Sequence, residues 1–235
     1  MYKTILLDLD NTLLPMNEDK FVERYFKMLV EKMAPYGYDP NKLIETIWKG
    51  TYAMYKNDGK LSNEELFWYI ANKDFPNKII NDKYLFDEFY ETRFDDVKDS
   101  CGYESKAKVV VDKLKKDYKL ILATNPIFPY AATSRRIKWA GLSIDDFEYI
   151  STYENSHYSK PNPEYYKEIL TKYNLDPKEC LMIGNDVLED GIAKSLGIDV
   201  YLIKDNLINK KDLDISNYQI GNYDELIDYI DNLKR

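Results

Sequence analysis

Cysteine is nearly absent from this chain, with Cys101 and Cys180 as its only two. So few exclude a disulfide scaffold and suit a reducing cytoplasm. Cys180 stands in an apolar run and reads as a small buried core residue, while Cys101 falls in a loop and is assigned no role. Basic residues do not predominate: 33 Lys and Arg face 41 Asp and Glu, a formal charge of −8. A nucleic-acid surface needs a clustered basic patch, so no such partner is expected. No apolar stretch approaches the length of a bilayer span, and the first residues lack a charged-then-apolar signal pattern. Internal repeats, low-complexity linkers and a collagen-like or disordered bias are also missing. What is left is a chain of 235 residues, enough for one large domain or two modest ones around a substantial core.

The stretch Ile5-Leu6-Leu7-Asp8-Leu9-Asp10-Asn11-Thr12-Leu13 organises the rest. Its short apolar start has the pattern of a strand buried on both faces. It then delivers Asp8 and Asp10 at i and i+2, which on a strand share one side. Two carboxylates that close raise each other's pKa unless a cation sits between them. Taken alone, the same residues also fit a polar turn closing a strand.

From about Asn17 to about Phe94 the pattern is helical, with no convincing strand. Phe21, Val22, Tyr25, Met28, Leu29 and Met33 form one stripe, ended by Pro35 and Gly37. Asp39-Pro40 opens a second helix through Ile44, Ile47, Trp48 and Tyr55. Ser62 with Glu65 is a capping box for a third, and a last segment runs from about Ile79 to Phe94. Together they predict a small helical bundle. The aromatics Trp48, Tyr52, Tyr55, Phe67 and Trp68 read as its core, with one or two facing a cleft.

Beyond this bundle, strands and helices alternate, which predicts an α/β fold with a parallel sheet. The expected strands are Lys119 to Thr124, Phe147 to Ser151, Leu181 to Gly184 and Asp199 to Ile203. Helices are expected around Ala107 to Tyr118, Pro129 to Ala140, from Pro163, a short one to Leu196, and Asp224 to Leu233. Asp8 and Asp10, Thr124 and Asp186 each follow a predicted strand, and in an open parallel sheet those ends face one crevice. Four acids near one point, Asp8, Asp10, Asp186 and Asp190, call for a hard divalent cation such as Mg²⁺. Lys160 adds one further positive charge, leaving the expected balance negative without metal.

Asp8-Leu9-Asp10-Asn11-Thr12 resembles the first motif of the haloacid dehalogenase superfamily, most of whose members are phosphatases. Three further matches occur in order: Leu120 to Asn125, ending in Thr124; Lys160 ahead of a helix start; and Cys180 to Asp186, followed by Glu189-Asp190. Singly, Thr124 could end a strand, Lys160 could be a solvated loop charge, and the last acids could favour a helix N-terminus. Their joint order argues against those readings. The resemblance implies a Rossmann-like three-layer core over 1–14 and 97–235, with a helical cap domain over 15–96.

It also implies roles. Asp8 would be the nucleophile and Asp10 the general acid/base. The Thr124 hydroxyl and Asn125 N–H would hold phosphoryl oxygens, and Lys160 would offset charge on Asp8 and phosphate. The Asp8 carboxylate, the Asp10 carbonyl and the Asp186 carboxylate would bind Mg²⁺, with Asp190 behind them orienting Lys160 or water. Asn185 between Gly184 and Asp186 departs from the common glycine-aspartate pattern, so the choice of metal-binding acid is left open. Glu189 reads as a surface acid in preference to a site residue, and His157 is expected to take no catalytic part.

The expected activity is hydrolysis of a small phosphorylated metabolite. A phosphomutase or phosphotransferase would use the same residues, and a non-catalytic binding module on the same fold is the rival from another class. Dehalogenation is disfavoured because halide departure needs no Asp10. Phosphonate cleavage would need a Schiff-base lysine, and neither Lys49 nor Lys56 lies in a setting that depresses its pKa.

Overall fold

The computed structural model describes residues 1–233, so positions 234 and 235 of the expected core lie outside the described residues. β1 (Thr4–Leu7) is buried along its whole length, as a run covered on both faces requires. A run of helices follows: α1 (Glu18–Met33), α2 (Pro40–Tyr55), α3 (Asn63–Asp74), the single turn α4 (Lys78–Asn81) and α5 (Lys83–Thr92). The three long ones begin at their caps. Asn17 accepts from the Lys20 N–H, Asp39 from the Lys42 N–H, and Ser62 and Glu65 close a capping box. The helix expected over Ile79 to Phe94 is instead broken at Asp82, whose carboxylate is taken by Tyr38 and Lys78.

Next come α6 (Ser105–Leu114), β2 (Lys119–Leu122), α7 (Tyr130–Trp139), β3 (Tyr149–Ile150) and α8 (Pro163–Lys172). β4 (Cys180–Gly184), β5 (Asp199–Ile203), β6 (Gln219–Gly221) and α9 (Tyr223–Asn232) complete the described chain. The strands lie in the order β3-β2-β1-β4-β5-β6 and every pair is parallel. Alternate side chains serve opposite layers: Ile5, Leu7 and Leu122 join the cluster containing α6 and α9, Leu6 and Met182 the one containing α8. β1 is central, and the strand order reverses between it and β4. The carboxyl ends of these two strands therefore flank the switch point where α/β sheets place their ligands.

Three expectations are corrected. β3 spans Tyr149–Ile150 only, Gly191–Leu196 is a 3₁₀ turn in place of a short α-helix, and β6 is an additional edge strand. Short edge segments carry too little periodicity to be read ahead of the fold. Among the described residues no helix is long and apolar enough to cross a membrane.

The start of α3 ties the helices between β1 and β2 to the loops after β2 and β3. Asn63 is fully buried and donates from Nδ2 to Pro126 O and Ser159 Oγ, both at 3.1 Å, while its Oδ1 accepts from Asn57 at 2.9 Å. Asn63→Ala strands these partners without water, at a cost of about 1–3 kcal/mol. The expected result is a melting temperature lower by roughly 2–12 °C. A melt that does not move would show that this contact is dispensable.

Candidate active site

The turn after β1 decides where the first acids go. Asp8 extends the strand, its N–H reaching the Ile183 carbonyl at 3.0 Å. Asn11 takes a left-handed conformation, φ 60°, which Asn tolerates better than most residues. The chain then doubles back, and the Asn11 N–H meets the Leu14 carbonyl at 2.8 Å. Thr12 Oγ1 donates to Asn185 Oδ1 at 3.0 Å, which ties this loop to the one after β4. Asn185, the departure from the common family pattern, is thus a tether between the two loops.

Behind Asp8 lies a buried charge cluster. Lys160, 1% exposed, donates to Asp8 Oδ1 at 2.9 Å and to Asp190 Oδ1 at 2.6 Å. The other Asp190 oxygen accepts the N–H groups of Asn185 and Asp186, at 2.9 and 3.0 Å, and so fixes the loop carrying Asp186. This close approach requires glycine at 184, where a Cβ would fall 2.1 Å from Asp190 Oδ2. Burial holds the Asp8 carboxyl up at about 7 against the pull of Lys160, and the charges of Asp190 and Asp10 add to the rise. Burial opposes the charge of Lys160 in turn, but Asp190 and Asp8 outweigh it and keep the amine protonated far above its ordinary range.

Arg136 was not anticipated. In the sequence it is half of an Arg135-Arg136 pair near the end of a helix, where basic residues are ordinary partners of the helix dipole. In the fold it is turned inward and 1% exposed. Nη1 donates to Asp10 Oδ2, Nη2 donates to Thr133 Oγ1 at 3.2 Å, and the guanidinium lies 4.7 Å over the Phe128 ring. The second Asp10 oxygen, Oδ1, is buried and has no hydrogen-bond partner among the described residues. Arg136 therefore supplies a second fixed cation, and the expected balance of several acids against one lysine is corrected.

Asn125 Nδ2 donates to Glu189 Oε2 at 3.0 Å, joining the loop after β2 to the loop after β4. Glu189 is thus a wall of the site, which corrects the surface reading. Burial pushes its carboxyl up to about 8, with Lys160 opposing and Asp190 and Asp186 reinforcing the rise. A carboxyl raised in the folded state lets the fold hold a proton that the unfolded chain has released. Its contribution to stability therefore falls as pH climbs from the ordinary carboxylate range to about 8. Glu189→Gln keeps the acceptor for Asn125 and removes this dependence. Its melting temperature relative to wild type is expected to rise between pH 5 and pH 8.5, and a difference that stays constant would refute the shift.

A cavity of about 400 Å³ gathers Asp8, Asp10, Thr124, Asn125, Asp186 and Asp190 on its wall. Lys160 does not reach this wall; it stands behind Asp8. Neither Lys49 nor Lys56 lines the cavity, and His157 lies outside it, its Nδ1 2.6 Å from Glu168 Oε1. Phe67 and Trp68 are buried as expected and also border the cavity, as does Tyr55. Trp48 and Tyr52 are not core: they are 48% and 65% exposed, and Trp48 lines the cavity.

The donor chemistry suits a hard cation. Asp186 Oδ1 is engaged by the Leu188 and Glu189 N–H groups, while its other oxygen takes no hydrogen bond among the described residues. The Asp10 carbonyl also accepts no backbone hydrogen bond among them. No three His, Cys, Asp or Glu side chains converge as a metal cluster among the described residues. The expected set needs only two carboxylates and one carbonyl, which fits Mg²⁺ retaining several waters.

The sequence profile of the haloacid dehalogenase-like hydrolases matches residues 2–197. A glyceraldehyde 3-phosphate phosphatase of Pyrococcus abyssi is 26% identical over 205 residues, 84% of this chain and 79% of that protein. The crystal structure of a 2-haloacid dehalogenase from Pseudomonas syringae pv. tomato superposes with a TM-score of 0.65 at 17% identity, covering 99% of this chain and 100% of that one. A Bacteroides thetaiotaomicron enzyme of the same family, solved with magnesium and inorganic phosphate, gives 0.55 at 20% identity, covering 90% and 98%. These last two likenesses concern the fold. With its profile match running from before β1 to the end of the 3₁₀ turn after β4, the chain belongs to the haloacid dehalogenase-like hydrolases.

Proposed function

We propose that this hydrolase is a Mg²⁺-dependent phosphatase that cleaves a small phosphate monoester through an aspartyl-phosphate on Asp8. The observation that carries the reading is the shared cavity wall, where Asp8 and Asp10 meet Thr124, Asn125 and Asp186. The 26% identical relative, a glyceraldehyde 3-phosphate phosphatase, supports phosphate-ester chemistry. Asp8 attacks phosphorus in line and the ester oxygen leaves. Arg136 holds Oδ2 of Asp10, so the partnerless Oδ1 is the oxygen that hands a proton to the leaving group and later takes one from water. The Thr124 hydroxyl and Asn125 N–H receive phosphoryl oxygens, and Lys160 holds Asp8 in place from behind. When bound by Asp8, the Asp10 carbonyl and Asp186, magnesium would neutralise charge on the phosphoryl group.

The helices over residues 15–96 act in this reading as a cap that excludes water while the substrate is held. A phosphotransferase would share every one of these residues and differ only in the acceptor. The test is release of inorganic phosphate from a panel of phosphate esters, with Mg²⁺ and with chelator. Metal-dependent release supports the proposal; a new phosphate ester formed without free phosphate when a second alcohol is supplied favours transfer, and neither product favours a binding module.

A further inference from the structure

The cavity does not end at the acids. From them it runs up between the helices, and its far wall is aromatic: Phe26, Trp48, Phe67, Trp68, Phe86 and Tyr90 all border it. On α2 the residues turned to it, Ile47, Trp48, Thr51 and Tyr55, fall on one helical stripe. Trp48 packs on Phe26 with ring centroids 5.4 Å apart, and Trp68 on Phe86 at 5.3 Å. A volume of about 400 Å³ matches roughly thirteen waters at about 30 Å³ each, more than a three-carbon phosphate of roughly ten non-hydrogen atoms fills.

Charge narrows the occupant further. The cavity-lining cations are Arg136, committed to Asp10, and Lys210, which is exposed. The acids around them include Glu18 and Glu189 besides those at the inner end. A second phosphate or a carboxylate on the substrate would find no free buried cation and several negative charges. We infer that the leaving group of the phosphate ester is an uncharged alcohol with a bulky apolar or aromatic body, seated among these rings. The inference rests on the phosphatase reading and specifies its substrate class.

Ethyl phosphate and 2-phenylethyl phosphate release primary alcohols of similar leaving ability, so a difference between them reports the contact with the body. The expected kcat/KM for the phenylethyl ester is about tenfold to hundredfold higher, carried mostly by KM. Glyceraldehyde 3-phosphate and 2-phosphoglycolate should both fall below it. Trp48→Ala, at a half-exposed position that the core does not need, should shrink the phenylethyl-to-ethyl ratio at least fivefold. Thr51→Trp fills the chamber and should bring the ratio to one or less. Equal rates on the two esters, a carboxylate-bearing ester as the best substrate, or an unchanged ratio in both variants would overturn the inference while leaving the phosphatase reading intact. Release from none of the esters, p-nitrophenyl phosphate included, would remove the phosphatase reading and this inference with it.

Discussion

Asp8→Asn is expected to lose phosphate release by a factor on the order of 10⁴ to 10⁶ while its fold is kept or even strengthened. The loss follows from chemistry: the amide is isosteric with the carboxylate but cannot act as the nucleophile. The stability gain follows from burial. Asp8 sits with its carboxyl held up at about 7, so at neutral pH the folded chain carries a charge that its surroundings disfavour. Because the folded value lies above the ordinary one, the stability owed to Asp8 falls as pH rises from about 4 to about 7 and is level above that. A neutral Asn escapes the penalty, and Lys160 retains Asp190 as its partner at 2.6 Å. Melting at pH 7.5 without metal should therefore place the variant at or above wild type. Activity within tenfold of wild type would eliminate Asp8 as nucleophile; a large drop in melting temperature would show that its charge holds the loop together.

The meeting of the site residues is legible in the sequence, because it resides in strand ends. β1, β2 and β4 are apolar runs that end in polar residues, and parallel pairing carries Asp8, Thr124 and Asp186 to one edge by topology alone. Capping signals were similarly local: Ser62 and Glu65 lie three apart and need no tertiary knowledge. What could not be read was the inward or outward turn of residues whose type is ordinary at either place. Trp48 and Tyr52 look like core by composition, yet α2 buries Leu43, Ile47 and Met54 and meets Phe67 of α3 closely at Gly50, leaving both of those rings largely exposed.

Arg136 and Glu189 illustrate the same limit from the charged side. A buried arginine makes sense only when its acceptor is known, and Asp10 lies 126 positions away in the sequence. Glu189 becomes a wall residue only once Asn125, 64 positions earlier, reaches across to it. Periodicity and motif spacing describe a chain within about a helix length. Long-range pairs are set by how the sheet order brings the loops after β1, β2 and β4 together.

Lys160→Met should produce the largest loss of stability among these substitutions. The replacement is similar in volume and apolar, so packing is roughly kept while the only amine bonded to both Asp8 and Asp190 among the described residues is removed. Breaking a buried pair from one side typically costs about 3–5 kcal/mol, because the remaining charge is stranded away from water. Two carboxylates lose their shared cation here, one of them 1% exposed, but Asp8 has an escape in taking up a proton. The deficit must therefore depend on pH in a definite direction. With the cation gone, the Asp8 carboxyl, which burial already holds above its ordinary value, is pushed further up, so the variant regains stability as pH falls and loses it as pH climbs. Urea midpoints at pH 5 and pH 8 should differ much more for Lys160→Met than for wild type. Adding Asp190→Asn to the variant should recover part of the deficit, because the second change removes one of the stranded charges. Phosphate release should meanwhile fall about 100- to 1000-fold, since a fixed charge beside the nucleophile is lost. A deficit that is the same at both pH values, and is not relieved by Asp190→Asn, would mean that Lys160 contributes through packing and not through its charge.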